Sequence, residues 1–265
     1  MPFATVNGAR IHYVESGSGP AVVFSHGLFW SGRMFEAQLA ALSDRYRCIA
    51  FDHRGQGSSE ITAGGYDMDA LSEDAAKLIE QLGAGPCHWV GLSMGGFVGM
   101  RLAARRPELI RSLSLLNTAA DPEPRANVGR YKIMGTIARA VGLRPFANIA
   151  MKAMFGKTFL ADPARVAQKV ELRGRIVANR RAGAVRSLYA VVDRSGIESE
   201  LSKIRVPTLV IAGEEDLSVV PARAQRTAAA IAGAAFQLIP RAGHSSTMEE
   251  PAAVSAALRA FIDKS

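Results

Sequence analysis

The sequence predicts an α/β fold: a doubly wound, mostly parallel sheet of eight strands carrying an inserted helical cap. Three observations point there. Short apolar runs alternate with amphipathic helical patterns at both ends of the chain. Those runs are continuous in apolar character, as expected of strands covered on both faces. Between residue 121 and about residue 199 the alternation stops, and helical segments follow one another with no convincing strand.

Taken in order, residues 3–6 and 10–14 flank Asn7-Gly8, a pair that favours the two-residue turn of an antiparallel hairpin. Further strands are read at 21–25, 47–51, 87–90, 112–116, 208–212 and 235–239. Helices fit between them at about 34–42, 68–82, 97–104, 221–232 and 251–263. In the middle segment Asp121-Pro122-Glu123-Pro124 opens the insertion and Gly142 and Pro145 break it, while Asp162-Pro163 reads as the cap and first turn of another helix. The expected division is a core of residues 1–120 and 200–265 and a cap of residues 121–199.

Composition narrows the function classes. With 48% hydrophobic and 21% charged residues, the chain is that of an ordinary soluble globular protein. No apolar run approaches the roughly 20 residues of a membrane span, and the start has no basic region followed by an apolar signal core. A cytoplasmic protein with no membrane partner is expected. Cys48 and Cys87 fall in predicted buried strands, so neither a disulfide framework nor a metal cluster is indicated. No G-x-G-x-x-G follows the first strand, and no cofactor is expected. The net charge of +8 has a location: residues 121–200 hold 15 Lys and Arg against 7 Asp and Glu, leaving 17 of each sign elsewhere. These basic residues are scattered and lie in no nucleic-acid motif, so no nucleic-acid partner is expected. Solvated helix faces explain them, with attraction of an anionic substrate as the functional alternative, for which Arg130, Arg173, Arg175 and Arg186 are candidates.

The chemistry centres on Gly91-Leu92-Ser93-Met94-Gly95, a G-x-S-x-G pattern between a predicted strand and a predicted helix. A sharp strand-to-helix turn would lift Ser93 clear of the sheet, and the glycines two residues either side let strand and helix pass closely. A serine hydroxyl is a poor nucleophile near neutral pH and needs a base oriented by an acid. His244 lies just beyond the last strand, and Asp216 lies in the polar loop beyond the strand before it. Asp216 is favoured over its neighbours Glu214 and Glu215 because it is nearest the turn into the next helix. The Met94 amide, at a helix start, is expected to supply one oxyanion donor. The second is assigned to the Leu28 amide beyond Gly27, with that of Phe29 as the fallback. His26 is expected to brace this loop, and Phe29, Trp30, Met134 and Phe155 are expected to line the substrate pocket.

With Ser93, Asp216 and His244 in that order, together with His26-Gly27 and the stretch Asp52-His53-Arg54-Gly55-Gln56-Gly57-Ser58-Ser59, the chain resembles the α/β-hydrolase family over almost its full length. The Asp52–Ser59 stretch is structural in that family. Gly91–Gly96 and Leu116-Asn117-Thr118-Ala119-Ala120 look most like its 3-oxoadipate enol-lactonase branch. Ser93 stands where haloalkane dehalogenases carry aspartate, and the bulky Leu28-Phe29-Trp30 differs from the glycine-rich loop of carbon–carbon bond hydrolases. The expectation is a serine hydrolase acting on a small carboxylic ester or lactone, which on the enol-lactonase resemblance would itself bear a carboxylate. Cofactor-free perhydrolysis or another acyl hydrolysis on the same triad is the near alternative. A non-catalytic small-molecule receptor on the same fold is the distant one.

Overall fold

The computed structural model describes residues 2–265. Asn7 and Gly8 both take positive φ, 45° and 73°, the combination a tight hairpin turn requires, and they join β1 (Phe3–Val6) to β2 (Ala9–Ser16). Six further strands follow: β3 (Ala21–Ser25), β4 (Arg47–Phe51), β5 (Cys87–Leu92), β6 (Ile110–Leu116), β7 (Thr208–Gly213) and β8 (Ala235–Ile239). They form one eight-stranded sheet in the order β1-β2-β4-β3-β5-β6-β7-β8. The β1–β2 and β2–β4 pairs are antiparallel and the other five are parallel. After β3 the chain passes to β4 on one side and then to β5 on the other. Ligands of open α/β sheets bind at the carboxyl edge where the order reverses in this way.

Side chains alternate between two cores, which is why the strand runs are continuously apolar. Val23, Ile49, Trp89, Leu113 and Val210 pack against α2 (Met68–Gln81), α3 (Met94–Arg105) and α9 (Pro221–Ala230). Val22, Phe24, Val90, Leu92 and Ile211 pack against α1 (Glu36–Leu42) and α11 (Pro251–Ile262). The edge strand β8 departs from the expectation of double coverage: Leu238 is 41% exposed, because one side of the strand has no neighbour. Helix α3 also begins three residues earlier than the sequence pattern suggests. Gly95 and Gly96 are poor helix formers, and contacts to β3 and Thr118 hold them in the helix regardless.

Between β6 and β7 lie five helices: α4 (Arg125–Val141), α5 (Ala147–Met154), α6 (Lys157–Ala161), α7 (Val166–Val177) and α8 (Arg181–Val192). A short helix absent from the sequence reading, α10 (Ser246–Glu249), follows His244. Among the described residues no helix is long and apolar enough to cross a membrane.

Candidate active site

Ser93 sits at the turn from β5 into α3 with φ 52° and ψ −110°, a conformation that costs an L-residue of order 1–3 kcal/mol. The surroundings over-determine it. The Ser93 amide donates to the Leu116 carbonyl at 2.9 Å, and the Ser93 carbonyl accepts from the Gly96 amide (2.8 Å) and the Thr118 hydroxyl (2.9 Å). A Cβ on Gly91 would overlap the Gly95 carbonyl, and one on Gly95 would overlap the Ser25 carbonyl. Both glycines are thus required by close approach.

The loops after β7 and β8 bring the acid and the histidine together. His244 Nδ1 lies 2.8 Å from Asp216 Oδ2, with the Asp216 side chain fully buried. Asp216 Oδ1 accepts from the amides of Ser218 (2.8 Å) and Val219 (2.9 Å), and Oδ2 also accepts from Asn117 Nδ2 at 2.9 Å. A carboxylate only accepts, so Asp216 accepts from the Nδ1–H of His244 as its fourth donor, which leaves Nε2 as the ring nitrogen available to act as a base. His244 and Ser93 line the same cavity, although no hydrogen bond joins them. Apo active sites commonly show this pair long and close it only around substrate. Of the adjacent carboxylates, Glu214 accepts from the Arg241 amide, and Glu215 accepts from the amide and hydroxyl of Thr158, capping α6 of the insert.

A second buried carboxylate lies behind the histidine. Glu249 is 1% exposed and accepts from the amides of Gly156 (2.7 Å), Gly243 (3.0 Å) and Ser245 (3.1 Å). Gly243 has an ordinary backbone conformation; a Cβ there would overlap the Gly156 amide. Contact with the insert, and not loop flexibility, is what the glycine before His244 provides. Burial pushes Glu249 up to about 7 despite the three amides, with the nearby Asp216 charge adding to the rise. A carboxyl whose folded pKa lies above its unfolded value of about 4.5 contributes stability that is full below pH 4.5 and lost as pH rises through 7. Urea unfolding at pH 5 and pH 8 should therefore show Glu249→Gln flattening a decline on the order of 2–3 kcal/mol.

Across from His244, the amides of Leu28 and Met94 have no hydrogen-bond partner among the described residues. The Phe29 amide is committed to Gln56 Oε1 at 2.7 Å, which removes the fallback donor and leaves Leu28 as the available one. The strained residue of this loop is Phe29, at φ 66°, and not Gly27. Gln56 also directs its amide nitrogen at Met94 Sδ, 3.8 Å away, so one side chain ties the residue after Leu28 to the Met94 side chain. His26 bonds the Gly27 carbonyl through Nδ1 (2.7 Å) and accepts the His53 amide at Nε2 (2.9 Å). A carbonyl only accepts and an amide N–H only donates, so His26 is held as one neutral tautomer, and burial keeps it below the usual histidine range. It braces the loop, as expected.

Ser93 and His244 open into a cavity of about 150 Å³ beneath the insert. Leu28, Phe29, Trp30 and Met134 line it. Phe155 does not; it is 1% exposed and packs behind Trp30 and against Phe159, with ring centroids 5.9 and 4.7 Å away, because the α5–α6 junction turns its side chain into the core. None of the four candidate arginines reaches the cavity. Arg173 bonds Asn148, Arg175 pairs with Glu171, Arg130 lies over the Tyr131 ring and Arg186 over the Tyr66 ring. The cationic group in the wall is Arg194, paired with Glu123, and sequence reading singled out neither. It also missed Asn117, Gln56 and Glu249. The signal for Asn117 was an asparagine at the end of a buried strand beside the elbow, whereas Glu249, next to Glu250 and Pro251, reads like an ordinary helix start.

A profile described as the alpha/beta hydrolase fold matches residues 20–251. The 3-oxoadipate enol-lactonase 2 of Acinetobacter baylyi is 28% identical over 262 residues, covering 98% of this chain and 96% of that protein. A Pseudomonas syringae protein carrying a carbamate hydrolase name, RutD, is 29% identical, covering 96% and 97%. The crystal structure of the enol-lactonase from Burkholderia xenovorans superposes with a TM-score of 0.92 at 30% identity, covering 99% of this chain and all of that one. With its sheet order, its serine turn and this match across most of its length, the chain belongs to the alpha/beta hydrolase fold family.

Proposed function

We propose that this chain is a cytoplasmic serine hydrolase that cleaves a small carboxylic ester or lactone through an acyl-enzyme. The observation that carries the reading is the pairing of His244 with the buried Asp216 in a cavity that also holds Ser93 on a strained turn. In the proposed reaction the Ser93 hydroxyl attacks the substrate carbonyl as His244 Nε2 takes its proton, and Asp216 stabilises the imidazolium. The Leu28 and Met94 amides receive the oxyanion. His244 returns the proton to the leaving alkoxide, then activates a water that attacks the acyl-enzyme and releases the acid. Residues 121–199 act in this reading as a cap that shields the intermediate from bulk water. Family membership and the hydrolase names of the relatives support the reaction type.

A fluorophosphonate probe tests the nucleophile. Ser93 of the folded protein should label and His244→Ala should not, while an unlabelled Ser93 would favour a receptor. A panel of aryl esters, lactones and one aryl carbamate then identifies the acyl class. The name of the Pseudomonas syringae relative makes the carbamate the member to watch. Turnover faster than that of every ester would move the assignment to carbamate hydrolysis.

A further inference from the structure

The cavity wall is apolar almost throughout, with Met134, Leu143, Phe146, Leu188 and Val192 closing it on the side of the insert. Apart from His244 and the Tyr131 phenol, its ionisable members are Glu123 and Arg194, whose side chains are 11% and 3% exposed. Arg194 is already spent. Its Nη1 donates to the Val191 carbonyl (2.7 Å) and to Glu123 Oε2 (3.3 Å), its Nη2 donates to the Asp121 carbonyl (3.3 Å), and its guanidinium lies 4.1 Å over the Phe97 ring. Nε is buried without a partner, so no water or ligand reaches it in this conformation. Glu123 is fixed from its other side by Asn127 Nδ2 at 3.0 Å.

A substrate carboxylate entering this space would shed its water and meet a cation already neutralised, with the Glu123 charge beside it. Removing a charge from water without a counter-ion is heavily penalised, whereas an apolar group gains from the same wall. Size follows from volume: an apolar cavity of about 150 Å³ accommodates a benzene-sized group, about six carbon atoms.

We propose that Glu123, by neutralising Arg194 in the cavity wall, selects uncharged esters or lactones bearing an apolar group of about six carbons and turns away those bearing a carboxylate. The inference rests on the serine hydrolase reading above and sharpens its substrate class. It also runs against the carboxylate-bearing lactone that the sequence resemblance implied.

The test compares p-nitrophenyl hexanoate with mono-p-nitrophenyl adipate, which share a six-carbon acyl chain and differ in a terminal methyl or carboxylate. In the wild type, kcat/KM for hexanoate should exceed that for adipate by about 100-fold or more. In Glu123→Gln the guanidinium loses its counter-charge, and that ratio should fall at least tenfold. Should Glu123→Gln fail to fold, Met134→Trp serves instead by filling the cavity, and the hexanoate-to-acetate ratio should drop by tenfold or more. Equal or inverted preference in the wild type, with hydrolysis abolished in Ser93→Ala, overturns the selectivity and leaves the serine hydrolase reading standing. Fluorophosphonate labelling of Ser93 with neither twin hydrolysed does the same, and an unlabelled Ser93 overturns both.

Discussion

Ser93→Ala is expected to lower kcat on any accepted ester by roughly 10⁴–10⁶-fold while leaving the fold as stable as the wild type. The first half follows from the proposed chemistry: Ser93 is the nucleophile, the Ser218 hydroxyl of the same cavity is committed to the Ala153 carbonyl, and the residual rate is what two amides and binding supply. The second half follows from the structure. The Ser93 hydroxyl makes no hydrogen bond among the described residues, and the backbone at φ 52° strains alanine much as it strains serine. Glycine relieves that strain, so Ser93→Gly should be equally inactive yet more stable, by about 1 kcal/mol. Steady-state kinetics beside chemical unfolding of the three proteins reads both quantities. An alanine variant retaining a tenth of the wild-type rate would remove Ser93 from the mechanism.

Asp216→Asn should cost about 10³–10⁴-fold in kcat, and the reason is a tautomer. The Ser218 and Val219 amides point at one carboxylate oxygen and can only donate, so the carbonyl oxygen of the substituted side chain must sit there. Its NH₂ then faces both His244 Nδ1 and the NH₂ of Asn117. His244 can satisfy this only by moving its proton to Nε2, which turns the base away from Ser93. A pH–rate profile beside proton NMR of the imidazole reports both effects. Near-wild-type kcat with an unchanged Nδ1 proton signal would contradict the assigned role of Asp216.

How far the sequence discloses this molecule depends on how local the cause is. The strands and the hairpin were legible because continuous apolar runs and Asn7-Gly8 carry their structural meaning within a few residues. Ser93, Asp216 and His244 were legible because elbow glycines and strand-following loops mark the carboxyl edge of such a sheet, and the structure brings these residues to one place. Asn117, Gln56 and Glu249 were not, because each acts on atoms distant in sequence: Asn117 reaches Asp216 across 99 positions, and Glu249 reaches Gly156 across 93. Phe155 was misread for a related reason. An aromatic residue in the insert can face cavity or core, and only the turn between α5 and α6 decides. The four arginines show the same limit for charge, since a basic segment gives net sign without saying which guanidinium turns inward.

The way the insert is fastened bears on how this protein could be re-engineered. Its α5–α6 stretch is tied to the loop carrying Asp216 by Thr158 on Glu215 and by the Ser218 hydroxyl on the Ala153 carbonyl. It is tied to the loop carrying His244 by Gly156 on Glu249 and by the Ser245 amide on the Met154 carbonyl. A foreign insert would keep the Asp216 and His244 loops in line only if it supplied matching donors and acceptors at the positions of Ala153, Met154, Gly156 and Thr158. A chimaera that exchanges residues 121–199 to change specificity has to carry Glu215, Ser218, Gly243 and Glu249 as part of the graft, because the boundary of the exchangeable unit follows these hydrogen bonds and not the chain.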